Sequence, residues 1–311
     1  MGRAVADHGF ESDVIGVQGS DDLDVLFRRL RDDPPDLVFN LCESLNGDVR
    51  NEPLLPSILE MLHIPYTGAD PLSLNLCLHK DRAKAVLHSN AVATPAHVVL
   101  RDASSYDDAL NDLDYPFFLK LAHEDASIGI AEINVVADRA ALTEVGTQLN
   151  RQYRQPVIAE RFIAGREVNV TVWGPQDELD VLPLHEIDFS DMPDDRPHIV
   201  SYAAKWDENH VDYEGTKPVP MKNVSESLAA ALKQTSIAAF KALGMRDFGR
   251  IDLRIDANDK PWVIDVNPNC DLSPDAGVAR AAKYGGLDYP GLIGRICEIA
   301  WSRYGDDSQS H

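Results

Sequence analysis

No apolar stretch in this sequence approaches the ~20 residues that a bilayer-spanning helix requires. The opening MGRAVADHGF lacks the apolar core of a signal peptide. Only four cysteines occur, Cys42, Cys77, Cys270 and Cys297, with no CxxC pair and no histidine spacing suited to zinc. These absences set aside membrane spans, disulfide frameworks and zinc sites, and they point to reduced thiols in a cytoplasmic protein. No GxGxxG follows any strand candidate, which removes a dinucleotide-dependent oxidoreductase. There is no internal repeat and no long low-complexity linker. Cations are scarce, 29 Lys and Arg against 51 Asp and Glu, for a net charge of −22. That balance argues against nucleic acid or an anionic membrane as partner, although a salt-rich habitat would produce it too. An acidic protein that handles a polyanion must gather its few cations locally, so single lysines and arginines become informative.

With 44% hydrophobic residues over 311 positions, there is material for two or three domains with real cores. Strand and helix candidates alternate from the start, which predicts an α/β organisation. ESDVIGVQ and PDLVFNL read as short parallel strands around a helix over Asp21–Arg31. A second helix covers Pro53–Leu62, HIPYTG (63–68) is a short strand and turn, and HKDRAKAVLHSN (79–90) is helical. ATPAHVVL (93–100) leads into two strands around a loop at 115–136, followed by a helix near Ala140–Tyr153. PVIAERFI and EVNVTVWG are strands joined by Gly165. The helix Glu226–Leu243 carries Leu228, Leu232, Phe240 and Leu243 on its apolar stripe and stops at Gly244. A hairpin follows, then a C-terminal helix over Gly291–Tyr304.

That hairpin is the most informative segment. In FGRIDLRID (248–256), Ile251, Leu253 and Ile255 point one way and Arg250, Asp252 and Arg254 the other. In the second strand Trp262, Ile264 and Val266 alternate with Val263, Asp265 and Asn267. A four-residue loop, ANDK (257–260), pairs Asp256 with Pro261 and so sets Asp252 opposite Asp265 and Arg250 opposite Asn267. Like charges directly opposite destabilise a sheet. A cation between them reverses the sign, and carboxylates with an amide oxygen are the hard ligands that Mg²⁺ prefers. The alternative is a solvated outer face of an edge hairpin. The apolar second strand and the Asn-Pro-Asn ending favour the metal site.

Upstream, Lys120 ends an apolar strand and is followed by HEDASIGI, a small-residue loop whose N–H groups can cradle phosphate. Glu160 and Glu167 lie on the next two strands, where they can accept hydrogen bonds from an adenine amino group and a ribose diol. Each of these signals alone is equally read as ordinary exposed strand charge. They gain weight because the metal hairpin follows in the same chain.

The order of these motifs resembles the ATP-grasp superfamily and, within it, the D-alanine–D-alanine ligases, from about DLVFNL to the C-terminal helix. HIPYTG…HKDRAKAVLHSNAVATP is similar to the family's GIPYTG turn, DK helix and PTP segment, with Lys80 as a nucleotide-phosphate lysine. YPFFLKLAHEDASIGI resembles FPLVVKP…GSSVGM, which places Lys120 on the α- and β-phosphates and Ser127 in the closing loop. VIAERFIAGREVNV looks like the hinge and ribose segment, with Glu160 for adenine, Arg161 beside it and Glu167 for ribose. SYAAKWD resembles the lid and puts Tyr202 and Lys205 over the γ-phosphate. GRIDLRID…VIDVNPN matches GRIDV…LEANTSPG, with Arg250 as charge stabiliser and Asp252, Asp265 and Asn267 as ligands of Mg²⁺, Mn²⁺ being an alternative.

The resemblance implies an α/β chain whose ATP-grasp part is α+β. It comprises a Rossmann-like pre-ATP-grasp domain (1–76), a central subdomain (77–160) and a C-terminal subdomain with the metal hairpin (161–311), the nucleotide lying between the last two. It implies an ATP-dependent carboxylate–amine ligase working through an acyl phosphate on amino acids or small carboxylate and amine substrates, in a chain compatible with a homodimer. There are three departures. Asp265 stands where the family mostly has glutamate. NPNCDLSPDAG replaces NTSPGMTxxS, leaving Ser273 and Asp275 as polar candidates for the second substrate. The family's first strand and glycine-rich turn have no counterpart, so either that strand lies outside this sequence or the domain does without it. Glu43 and Glu52, in NLCESLNGDVRNE, are the remaining substrate candidates, and if the first strand is truly absent, activity on D-alanine is expected to be poor. The rival is an ATP-binding protein without turnover, in which nucleotide controls assembly or partner binding.

Overall fold

The computed structural model describes residues 1–17, 19–101, 114–124 and 127–305. The chain opens with α1 (Gly2–Asp7), α2 (Ser20–Asp32), α3 (Leu54–Met61), α4 (Pro71–Leu78) and α5 (Lys80–Ser89). A first run of strands follows: β1 (His97–Leu100), β2 (Phe117–Leu121), β3 (Val135–Val136) and, after α6 (Arg139–Tyr153), β4 (Val157–Arg161). The second run is β5 (Arg166–Gly174), β6 (Asp180–Val181), β7 (His185–Asp188) and, after α7 (Tyr202–Trp206) and α8 (Val211–Glu214), β8 (Lys217–Pro220). Helix α9 (Glu226–Ala242), the hairpin β9 (Asp247–Ile255) and β10 (Pro261–Asn267), α10 (Gly277–Tyr284) and α11 (Tyr289–Gly305) complete it.

The strands form two antiparallel sheets, one ordered β1-β4-β2-β3 and the other β10-β9-β5-β7-β8 with β6 added to β5. Each buries one face under a helix. Leu142, Val145 and Leu149 of α6 pack on Phe117, Leu119, Leu121, Val157 and Ala159. Leu228, Leu232, Ala239 and Phe240 of α9 pack on Val168, Val170, Ile251, Leu253 and Val263. Period-2 alternation then leaves the opposite faces free to line a cleft of about 640 Å³ between the sheets.

Gly165, between β4 and β5, is where the chain passes from one sheet to the other. Its φ is +128°, and a Cβ there would lie 2.1 Å from the carbonyl oxygen of Ile255, so only glycine fits. Gly244 stops α9 at φ +68°.

Among the described residues the expected parallel strands near the start do not form. Residues 11–17 adopt no regular structure, and Val14 is 79% exposed. Of PDLVFNL and HIPYTG only an isolated parallel bridge between Val38 and Tyr66 remains. A short apolar run needs a paired neighbour to become a strand, and none is in place among the described residues. The turn at 66–68 is instead held by polar ties: Arg303 donates to Asp247 and to the Tyr66 carbonyl, and Gly68 N–H donates to Asp247. Helix α1 leans on α11, with Ala4 buried and the His8 ring resting on Gly294.

The hairpin register holds at its polar end and slips at its turn. Asp252 faces Asp265 and Arg250 faces Asn267, but Pro261 pairs with Ile255 rather than Asp256. A bulge at Ile264 absorbs the difference. It also corrects the expected facing of β10: Val263 joins Val266 in the core, while Trp262 lies on the cleft side, stacked by Arg161.

Candidate active site

The cleft is lined from the smaller sheet by Lys120, Glu160 and Arg161, from α5 by Lys80, and from the larger sheet by Glu167, Asn169, Arg250, Asp252, Arg254, Asp265 and Asn267. Ser127 and Lys205 complete its rim. Strand register explains the convergence on the larger sheet. His185 pairs with Asn169, Asn169 with Asp252, and Asp252 with Asp265, so four strands set one row of polar side chains across the sheet.

Four cations in the cleft are matched with four carboxylates. Lys80 Nζ donates to both oxygens of Asp265 at 2.8 Å. Lys120 Nζ lies 3.0 Å from Glu160 and donates to the carbonyl of the bulged Ile264 at 2.6 Å. Arg250 grips Asp252 through Nε at 2.7 Å and Nη2 at 2.9 Å. Arg254 holds Glu167 at 3.1 Å while stacking over Phe162. Among the described residues Lys205 has no ion pair. Its side chain is exposed at the cleft rim, where crowding by the cleft walls and the neighbouring Arg250 charge hold its ammonium below the usual lysine range.

The carboxylates respond to these partners differently. Burial by itself would raise Asp265, but Lys80 and Lys120 outweigh it and hold it down at about 2. Burial raises Glu167 despite Arg254. Burial pushes His185 down to about 4, so it is neutral at pH 7, and its buried Nδ1 has no hydrogen-bond partner among the described residues.

The residues expected at the metal behave unequally. Asp252 accepts from Arg250 twice, from Asn169 at 2.7 Å and from Asn267 at 3.1 Å. Those four bonds occupy the roughly four lone-pair sites of a carboxylate. Asp265 and the amide oxygen of Asn267 are hard donors suited to Mg²⁺, which binds through one or two carboxylates plus phosphate oxygens. Among the described residues no three His, Cys, Asp or Glu side chains gather closely enough to cage an ion by themselves.

Several expected site residues lie elsewhere. Tyr202 is half exposed beside Trp206 and does not line the cleft. Glu43, Ser273 and Asp275 are exposed and outside it. Glu52 is buried but bonded by Asn269, which ties residues 42–52 to the segment after β10. Glu160 does face the cleft, yet both its oxygens meet lysines. The second of these is Lys84, which sequence reasoning missed. Its spacing from Lys80, four residues on one helix, was the available signal. Asn169 was equally legible, as the polar residue between Glu167 and Thr171 in EVNVTV.

A family model described as D-ala D-ala ligase C-terminus matches residues 87–298. The chain belongs to the D-alanine–D-alanine ligase family. It is therefore an ATP-dependent ligase of that type, forming C–N bonds. It is 32% identical over 278 residues to the uncharacterized protein y4sG of Sinorhizobium fredii, covering 87% of this chain and 78% of that protein. It is 29% identical to the D-alanine–D-alanine ligase of Bordetella petrii, over 83% of this chain and 74% of the relative. The fold is similar to that of the D-alanine–D-alanine ligase of Bacillus anthracis complexed with ATP. That match has a TM-score of 0.69 and 20% identity, over 90% and 85% of the two chains. It is also similar to VanG D-Ala:D-Ser ligase of Enterococcus faecalis, with a TM-score of 0.68 and 23% identity, over 85% and 73%. No helix among the described residues is long and apolar enough to cross a membrane.

Proposed function

We propose that the cleft binds ATP and that the chain joins an amino acid or small carboxylate to an amine through an acyl phosphate. The observation that carries this reading is the convergence of Lys80 and Lys120 on Asp265 and the Ile264 carbonyl, which brings the two sheets together around cations in an otherwise acidic protein. Lys80 and Lys120 meet phosphate oxygens, Arg161 and Glu167 lie toward the base and ribose, and Ser127 closes over them. Lys205 and Arg250 stabilise charge on the transferred phosphoryl group and on the tetrahedral centre that follows. No side chain acts as a covalent nucleophile. Asp265 and Asn267 would hold Mg²⁺, which supplies charge neutralisation between phosphates when bound. Asp252 instead keeps Arg250 in place through its two-point grip.

Glu160 acts in this scheme as the anchor of Lys120, with any contact to adenine secondary. The assignments of Tyr202, Glu43, Glu52, Ser273 and Asp275 would require movement of the lid or of the segment after β10 when ligands bind. We further propose the division into 1–76, 77–160 and 161–311, with nucleotide between the second and third parts. The passage between sheets at Gly165 supports the last boundary. Incubation with ATP, Mg²⁺ and a pool of D- and L-amino acids, followed by mass spectrometry, tests the reading. A new amide product with ADP and phosphate is expected. Phosphate release that ignores added amino acids would overturn the ligase reaction.

A further inference from the structure

Lys84 does not line the cleft and is 3% exposed, so it cannot touch a nucleotide there. It is nevertheless built into the site. Its Nζ lies 2.6 Å from Glu160 Oε2 and donates to Thr94 Oγ1 at 2.8 Å. Thr94 in turn donates to the carbonyl of Val263 at 2.8 Å. The other Glu160 oxygen meets Lys120, which donates to the carbonyl of Ile264. Val263 and Ile264 are consecutive residues of β10, so the contacts close a ring: Val263, Thr94, Lys84, Glu160, Lys120, Ile264. The ring spans α5, the smaller sheet and the metal hairpin of the larger one, and it includes the bulge that sets the place of Asp265.

We propose that Lys84 is a positioning residue of the nucleotide site. It holds Glu160 from beneath, and so fixes Lys120 and the bulged β10 backbone where they meet ATP. Removing charge from water is expensive, and two ammoniums with one carboxylate leave the buried ring with a net positive charge. An apolar side chain would fill the same position more cheaply if packing were its only role. With Lys84 gone, Glu160 retains Lys120 alone, and the carboxylate draws that ammonium away from phosphate. The groups facing Lys84 are Lys120 on β2, Glu160 on β4, Asp265 on β10 and His97 on β1, while Lys80 lies one turn earlier on the same helix. Burial lowers Lys84 to about 8, with Glu160 opposing the shift. Its charge, and its hold on Glu160, weaken as pH rises through that value.

The inference rests on the nucleotide reading above. The test is calorimetric binding of a non-hydrolysable ATP analogue with Mg²⁺ to the wild-type chain, Lys84→Met and Lys84→Arg between pH 7 and 10, with thermal denaturation alongside. Expected at pH 7 is a 10- to 100-fold weaker Kd for Lys84→Met, with Lys84→Arg within a few-fold of wild type. Wild-type affinity should decline above pH 8, and the decline should be smaller in Lys84→Arg, which stays charged, because only Lys205 then titrates in the cleft. A Lys84→Met protein with lowered Tm but wild-type Kd, or an alkaline decline that Lys84→Arg leaves unchanged, would overturn the positioning role. A wild-type chain that binds no nucleotide would overturn the nucleotide reading itself, and the proposal with it.

Discussion

Asp252 and Asp265 stand directly opposite each other across β9 and β10, yet each carboxylate is taken by its own cation, Arg250 and Lys80 respectively. The pair that would be repulsive on a bare hairpin is thus neutralised from two different directions. Arg250 comes from the same strand as Asp252, whereas Lys80 comes from a helix 185 residues away in sequence from Asp265.

The Lys80 partnership sets the outcome of Asp265→Asn. The substitution keeps size and removes charge, so ATP turnover is expected to be lost. The repulsion relieved between the aspartates is outweighed by the loss of the charge-assisted bonds from Lys80 to Asp265, at a cost of about 1–3 kcal/mol. Denaturant midpoints and phosphate release measure the two effects. Normal turnover in this variant would remove Asp265 from the site. Asp265→Glu, which restores the commoner family residue, should retain measurable activity.

Acid should reveal the same pair. Asp265 is held well below the ordinary carboxylate value, so its contribution to stability is present above about pH 4 and disappears as pH falls through about 2. The amount is on the order of 2 kcal/mol. Unfolding between pH 5 and 2.5 should show that component in the wild type and not in Asp265→Asn. Parallel curves for the two proteins would contradict the ion pair.

Lys120→Ala should weaken nucleotide binding by about 1–3 kcal/mol, the range for a lost charge-assisted hydrogen bond. Calorimetry with a non-hydrolysable analogue reads this directly. Since Lys84 still holds Glu160, the fold should survive, and unaltered binding would exclude Lys120 from the phosphate contacts.

Hydrogen exchange should separate α1 from the segment after it. Residues 11–17 have no regular structure and expose Val14 and Ile15, so their amides should exchange at rates close to those of an open chain. The α1 amides, packed against α11, should be slower. Strong protection across 11–17 would mean that those residues pair as a strand after all.

Much of the larger sheet was legible in the sequence, because period-2 alternation is local and strong. Ile251, Leu253 and Ile255 went to the core and Arg250, Asp252 and Arg254 to the cleft, as the pattern requires. The apolar stripe and glycine stop of α9 were equally plain. So was the family, through the order of its motifs. The bulge at Ile264 could not be read, because two adjacent apolar residues carry no mark of which one steps out of the ladder. Nor could the absence of strands near the start, since a strand exists only if a neighbour pairs with it.

The sequence by itself determined which residues could bear charge on a cleft face and in what order along the chain they would come. Only the tertiary structure decided who meets whom. It put Lys80 on Asp265 and Lys84 beneath Glu160, filled the lone pairs of Asp252, and turned Glu52 toward Asn269. The physical reason is range: alternation and helix periodicity act over a few residues, whereas a buried charge is satisfied by whatever partner the packing of distant elements brings within about 3 Å.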